Sequence, residues 1–247
     1  MGRSIVWARW GGCFLLFLLF ALSACDQKQI TSKTEDGGTI PFQVVEPPEL
    51  VIASDVADIV IRKGDSNTVT FAITQITDEE RKDFHITARQ DGNTIRIEEV
   101  LRSRTASNET HHGPRLELTT PEHSNIQIKN KVGSSSIEQI TGVVKIRSEA
   151  GAIDMSEVTL KAGSTFQTTA GAIAFHGTLD PTGPYSFETE VGSIDLTLPA
   201  DSAFQLNAFS TLGPISNAFE SDVTGNSPRA ALTLRTVVGN IAIHKAN

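Results

Sequence analysis

A hexapeptide recurs through the second half of this chain, with Ser or Thr first, an aliphatic residue or Ala third, Gly fourth and Ile sixth. Full copies begin at Ser148, Thr168, Thr189, Ser210 and Thr236, and a degenerate one, Asn130-Lys131-Val132-Gly133, precedes them. The glycines Gly133, Gly151, Gly171, Gly192, Gly213 and Gly239 stand 18, 20, 21, 21 and 26 residues apart. A motif returning in phase at about 20 residues marks a solenoid, in which each repeat forms one coil and buries its apolar side on the next. The Gly supplies a positive φ or lets stacked backbones approach, and the Ile two residues later points inward.

Around these motifs the chain alternates. Apolar residues fall at every second position in Ile59/Ile61, Val69/Phe71/Ile73, Phe84/Ile86, Ile95/Ile97, Leu116/Leu118, Ile126/Ile128 and Val144/Ile146. A period of two with one apolar face means half-buried strands. Turn signals at Gly64-Asp65, Asp91-Gly92-Asn93, Thr141-Gly142 and Asp180-Pro181 separate them, and no long amphipathic stretch of helical period occurs. The sequence thus predicts an all-β fold, a parallel β-solenoid or β-helix-like repeat domain with an N-terminal β capping region that covers the first exposed strand edge. Ile153/Met155, Ile173/Phe175, Ile194/Leu196/Leu198 and Ile241/Ile243 should face inward, with Asp154, Ala174, Asp195 and Ala242 outward. A second strand per coil fits Phe166, Tyr185/Phe187, Phe204/Leu206 and Leu232/Leu234. Six coils at about 4.8 Å each give a rod of about 30 Å. The alternative is an antiparallel sandwich whose hairpins share a Gly turn; sandwiches space turns similarly without repeating one motif in phase.

The first residues read as an export signal. Arg3 and Arg9 precede the apolar run Cys13 to Leu22, which is too short for the roughly 20 residues of a membrane-spanning helix. The ending Leu22-Ser23-Ala24-Cys25 resembles a bacterial lipobox, and that resemblance implies that Cys25 carries the lipid. With Cys13 in the removed segment, Cys25 is the only mature cysteine, so it cannot form an intramolecular disulfide, and a thioether disposes of the free thiol. Several acyl chains at about 0.8 kcal/mol per buried CH₂ hold far more firmly than one. Asp26 resembles an inner-membrane retention signal of enteric-type bacteria, and the polar run from Asp26 to Thr39 reads as a tether. The expected division is a lipoprotein signal peptide over 1–24, lipidated Cys25 and flexible tether over 25–40, an N-terminal β-strand region over 41–115, and solenoid repeats of about 20 residues over 116–247.

Composition narrows function. At 39% hydrophobic and 6% aromatic the chain is too polar for a multispanning membrane protein and too apolar for disorder. Loss of Arg3 and Arg9 moves the net charge from −8 to −10, which argues against nucleic acid as a partner. Asp154 and Asp195 occupy equivalent repeat positions, but Ala174 interrupts any adjacent carboxylate pair of the kind a polysaccharide-cleaving enzyme needs. Glu109, His111, His112 and His123 could suggest a metal, yet adjacent histidines beside Gly113-Pro114 lie in a loop, whereas metal ligands sit on rigid elements. Asn108-Glu109-Thr110 matches a glycosylation acceptor, read here as chance. The prediction is no catalytic, cofactor-binding or metal-ligating residue, no cofactor, and no enzyme. The presumptive outer face is rich in Ser134 to Ser136, Thr165, Gln167, Thr169, Ser186, Thr189, Gln205 and Asn207, a polar surface suited to a glycan or a protein.

These motifs resemble the bacterial candidate-adhesin family of β-strand-repeat proteins, a domain of unknown function whose repeats have the form Thr-Gly-Ser-Gly-Asp-Ile. The likeness spans Val51 to Asn247 and is strongest from Asn130, including Leu196-Thr197-Leu198-Pro199-Ala200-Asp201 and Leu232-Thr233-Leu234-Arg235-Thr236. The chain departs where the family often has Asp before Ile, carrying Ala152, Ala172, Ser193, Pro214 and Asn240. The resemblance implies a non-catalytic binding, adhesin-like or scaffolding role at the cell envelope, facing the periplasm or exterior, with the membrane engaged through Cys25 and an envelope protein or glycan as partner. An accessory or sensing subunit of a membrane protein is the alternative, and a carbohydrate-active β-helix enzyme the third.

Overall fold

Alternating side chains become strand along nearly the whole of the described chain, residues 38–102 and 113–246 of a computed structural model. Before the first hexapeptide lie β1 (Ile40–Gln43), β2 (Glu49–Val56), β3 (Asp58–Lys63), β4 (Thr68–Thr74), β5 (Phe84–Asp91), β6 (Thr94–Leu101) and β7 (Arg115–Thr120). The repeats form β8 (Asn125–Val132), β9 (Ser135–Glu138), β10 (Thr141–Gly142), β11 (Val144–Ala150), β12 (Ile153–Leu160), β13 (Thr165–Ala170), β14 (Ile173–Leu179), β15 (Pro184–Val191) and β16 (Ile194–Leu198). The chain closes with β17 (Phe204–Leu212), β18 (Ile215–Asn217), β19 (Val223–Thr224), β20 (Ala230–Val238) and β21 (Ile241–Lys245). One 3₁₀ turn, Glu80–Asp83, is the sole helical element among the described residues. The expected turn at Thr141-Gly142 is instead the short β10, which lies parallel to Thr159-Leu160.

The strands make two mixed sheets, neither closed. One runs β1-β4-β7-β3-β9-β12-β14-β16-β21-β18 with β10 beside β12, the other β19-β17-β20-β15-β13-β11-β8-β2-β6-β5. Pairing is parallel through the middle, and the antiparallel pairs β1–β4, β4–β7, β5–β6 and β17–β19 are confined to the ends. Each motif glycine turns the chain from a strand of the second sheet to its partner in the first. The strands before residue 116 join the same two sheets, β2 in register with β8 and β3 with β9.

Inward side chains meet between the sheets. Ile153, Ile173, Ile194 and Ile241 are directly in register and fully buried, as are Met155, Phe175, Leu196 and Ile243 beside them. From the facing sheet come Ile128, Ile146, Phe166, Phe187 and Leu234, with the Phe166 and Phe187 rings stacked at 4.7 Å. Truncating one such isoleucine to alanine costs about 2–5 kcal/mol.

Stacking order departs from chain order at the last two repeats. Gly171 lies on Gly151 and Gly192 on Gly171, but Gly239 lies on Gly192, and Gly213 lies outside Gly239. The pair β20/β21 is thus inserted between β15/β16 and β17/β18. The 26-residue final interval is what permits this, because after β18 the chain crosses the end and re-enters one layer further in. The other end mirrors it, with β2/β3 lying between β6/β7 and β8/β9.

Candidate functional site

The hexapeptide explains itself at the turns. The Gly171 N–H donates to the Val191 carbonyl at 2.9 Å, and the Thr189 hydroxyl of that next layer donates back to the Gly171 carbonyl at 2.9 Å. Thr236 bonds Gly192 and Ser210 bonds Gly239 in the same way, at 3.0 and 2.9 Å. Gly171 and Gly192 have φ near +158° and +156°, and a Cβ on either would collide with the carbonyl oxygen of the glycine one layer before it. These turns are structural, and their Ser and Thr face inward. Thr189 and Ser135, expected on the outer face, are buried. The sequence displayed the Ser/Thr position of the motif, but its partner is a carbonyl one layer away, which no local pattern reveals.

The outer face of the second sheet is different in character. In register across it, from β6 to β17, stand Glu98, Ala53, Lys129, Arg147, Gln167, Glu188, Arg235 and Phe209. Alongside runs a parallel row of Arg96, Val51, Gln127, Lys145, Thr165, Ser186, Thr233 and Asn207. Three shallow depressions, of about 330, 380 and 280 Å³, lie end to end along these rows. The first two share Lys129 and Arg147, and the last two share Gln167 and Glu188. Together they form one trough perpendicular to the strands, spanning roughly 34 Å at 4.8 Å per strand.

Charge in the trough is uneven. Lys129, Lys145 and Arg147 are exposed and have no acidic partner among the described residues, although the chain is acidic overall. Towards the N-terminal end Lys131 bonds Asp55 at 2.7 Å, which holds the Asp55 carboxyl below its ordinary range. Towards the other end Arg235 lies over the Phe209 ring at 5.9 Å. Beneath the trough, Glu99 is buried, and its Oε2 accepts from the Ser54 hydroxyl and the Asp55 and Val56 amides at 2.7 to 2.9 Å. Burial nonetheless pushes the Glu99 carboxyl up.

On the opposite sheet Asp154, Ala174 and Asp195 share one row, so the two carboxylates stand two strands apart, about 10 Å. Asp195 bonds Ser193 and lies 4.0 Å from His244. Partial desolvation raises the Asp154 carboxyl, although the residue is exposed at the surface. His123 sits in an isolated bridge to Thr141. Cys25, Asn108, Glu109, His111 and His112 fall outside the described residues.

No protein-family model matches the sequence, and no curated protein matches it. Among solved structures the chain is similar to a candidate cell adhesion protein of Clostridium sporogenes, at 13% identity and a TM-score of 0.48, over 85% of this chain and 100% of that one. It is also similar to a candidate adhesin of Bacteroides fragilis, at 16% identity and a TM-score of 0.36, over 83% and 96% of the two chains. A third, a candidate lipid-binding protein of Parabacteroides distasonis, stands at 10% identity and a TM-score of 0.25, over 85% and 96%. None of these likenesses fixes a ligand or an activity for this chain.

Proposed function

We propose that this is a lipid-anchored extracytoplasmic β-solenoid protein that binds or scaffolds at the cell envelope without catalysis. The trough carries the proposal: a shallow, open groove lined by amides, hydroxyls, the carboxylates Glu98 and Glu188, and cations without an acidic partner among the described residues holds an extended polar ligand along its length. Parallel strand pairs that repeat one glycine turn support the solenoid. The lipobox-like Leu22-Ser23-Ala24-Cys25 supports the anchor. β1, the first strand after the tether, lies at one extremity of its sheet, so an anchor on Cys25 tethers that end and leaves the trough along the side. The occupant is an envelope glycan or an extended stretch of an envelope protein, and the unpaired Lys129, Lys145 and Arg147 favour one bearing negative charge.

The test is crosslinking in native cells with affinity recovery of the tagged chain, comparing wild type, Cys25→Ala, and Lys129→Glu with Arg147→Glu. Wild type should fractionate with membranes and Cys25→Ala should not. Capture of a glycan or envelope protein that the charge-reversed chain loses supports the reading. Capture of one resident membrane protein that survives charge reversal and disappears with Cys25→Ala would instead make the chain an accessory subunit.

A further inference from the structure

Cations on this fold are ordinarily paired. Arg62 meets Glu138, Lys63 meets Glu122, Arg89 meets Glu98, Lys131 meets Asp55 and Lys161 meets Asp180. In the middle of the trough the pattern breaks: Lys129 and Arg147 stand side by side on β8 and β11, and Lys145 stands two residues before Arg147 on the same face. All three are exposed, and none has an acidic partner among the described residues, in a chain with 29 acidic residues to supply one. The acids around them are engaged elsewhere: Glu98 with Arg89, Glu188 with the Ser186 hydroxyl at 2.7 Å, and Glu149 beside Lys131. Three like charges whose strand positions lie about 5–8 Å apart repel one another, and a bound anion removes that repulsion.

We infer that the trough holds a linear acidic glycan, laid across the strands with an acid group among Lys129, Lys145 and Arg147 and uncharged sugar over Glu188. This rests on the trough as the binding face and names the class of its occupant. Spacing favours a glycan over a peptide. Polar side chains recur along the trough once per strand, at about 4.8 Å, close to the length of one pyranose ring, whereas an extended peptide advances about 3.4 Å per residue with alternate side chains turned away. Peptides are gripped by pairing with a strand edge, by apolar anchors or by arginine clusters. The trough crosses strand faces, neither of its rows has an apolar side chain between β8 and β20, and Arg147 and Arg235 stand three strands apart. At its far end Phe209, 53% exposed, stands on the same face as Arg235 and offers a ring on which the C–H face of a sugar packs. Charge also sets where the acid groups fall. The order along the row is Lys129, Arg147, Gln167, Glu188, Arg235, so Arg235 gives a second anion position about 14 Å from Arg147, and Glu188 repels an acid one strand before it. A glycan acidic on every ring sets a carboxylate against Glu188, whereas one acidic on alternate rings reaches both Lys129 and Arg235 without doing so.

The test titrates the full chain, in detergent, by calorimetry with probes of matched length: hyaluronate oligosaccharides, acidic on alternate rings; oligogalacturonate, acidic on every ring; uncharged cello-oligosaccharides; and oligoglutamate. Hyaluronate should bind most tightly and cello-oligosaccharide least, with the acidic probes weakened by added salt. Lys129→Ala with Arg147→Ala should weaken hyaluronate about tenfold or more at an unchanged thermal midpoint, since both side chains are exposed. Glu188→Gln should strengthen oligogalacturonate about threefold and leave hyaluronate unchanged, a shift that a structural role for Glu188 would not produce. Equal binding of charged and uncharged glycans overturns the inference. Tightest binding of oligoglutamate, lost with Lys129→Ala and Arg147→Ala, overturns the glycan and leaves the trough as a site for an extended polar ligand. No binding of any probe also overturns the inference, and the trough itself falls only if charge reversal leaves capture in cells intact.

Discussion

The two ends of this molecule meet the same requirement with opposite means. At the N-terminal end the outermost strand of one sheet, β1, contains Pro41, which cannot donate to a neighbour, and the outermost long strand of the other, β5, carries His85, Arg89 and Asp91. Behind that rim the turn between β2 and β3 is held by carboxylates: Glu99 takes three donors, and Asp55 takes the Leu101 amide and Lys131. At the C-terminal end the rim strands β17 and β18 are uncharged, and the turn is held by the Ser210 hydroxyl on the Gly239 carbonyl. Both ends tuck one strand pair inside another, so the tucking is not what distinguishes them. One end carries proline and charge on its rim strands, and the other carries neither.

The largest expected effect is local to the C-terminal end. Gly239 separates Gly192 from Gly213, and a Cβ there would collide with the Gly192 carbonyl. Gly239→Ala should destabilise β20/β21 and the β17/β18 pair stacked on them by about 3 kcal/mol or more, from positive-φ strain and overpacking together. Amide exchange should show protection lost from β17 through β21 while β2, β6 and β8 keep theirs. Uniform loss over both ends would mean that the stack unfolds as one unit and that the contrast is only of surfaces.

At the N-terminal end the expected effect depends on pH. Burial raises the Glu99 carboxyl above its ordinary value of 4.5, so the folded state binds the proton more tightly than the unfolded state, and stability falls as pH rises from about 4.5 through the raised value. Asp55 has the opposite sign: Lys131 lowers it, so its contribution is present above its ordinary value of 3.8 and is lost as pH falls through the lowered one. The thermal midpoint should therefore drop between pH 4.5 and pH 7, and Glu99→Gln should flatten that drop. Glu99→Ala should cost about 2–3 kcal/mol, since it strands the Asp55 and Val56 amides. An unchanged pH profile in Glu99→Gln would remove the carboxylate from any part in holding this end.

The all-β class and the inward residues are legible in the sequence because the period of two is local: Ile173 and Phe175 or Ile194 and Leu196 announce their face within three residues. Stacking order is not, because nothing in Gly213 or Gly239 says which neighbour each will choose. The only trace is the longer interval between them. The trough escaped for a related reason. Lys129, Arg147, Gln167 and Glu188 are far apart in sequence and become a row only once register is fixed. Within the polar stripe Ser148, Thr168, Thr189, sequence placed Thr189 on the outer surface, since a small hydroxyl residue beside a turn is ordinarily solvated, yet all three are buried.

That stripe yields the smallest and most discriminating expectation, because one of its members lacks the bond the others make. Thr168, Thr189, Thr236 and Ser210 each donate to a glycine carbonyl one layer away. The corresponding acceptor for Ser148 is Gly133, whose carbonyl accepts from the Asn130 amide at 3.0 Å, and the Ser148 hydroxyl is buried with no partner among the described residues. Asn130 stands here because the layer before it belongs to the N-terminal end, where its amide must also reach the Ala57 carbonyl at 2.9 Å. Thr189→Val keeps the shape and removes the bond, and should lower stability by about 1 kcal/mol. Ser148→Ala removes an unpaired hydroxyl and should be neutral or slightly stabilising by denaturant midpoint at unchanged m-value. Equal losses in the two variants would show that the hydroxyl stripe acts through packing alone, and that the join between the N-terminal pairs and the repeats is no different from the joins within them.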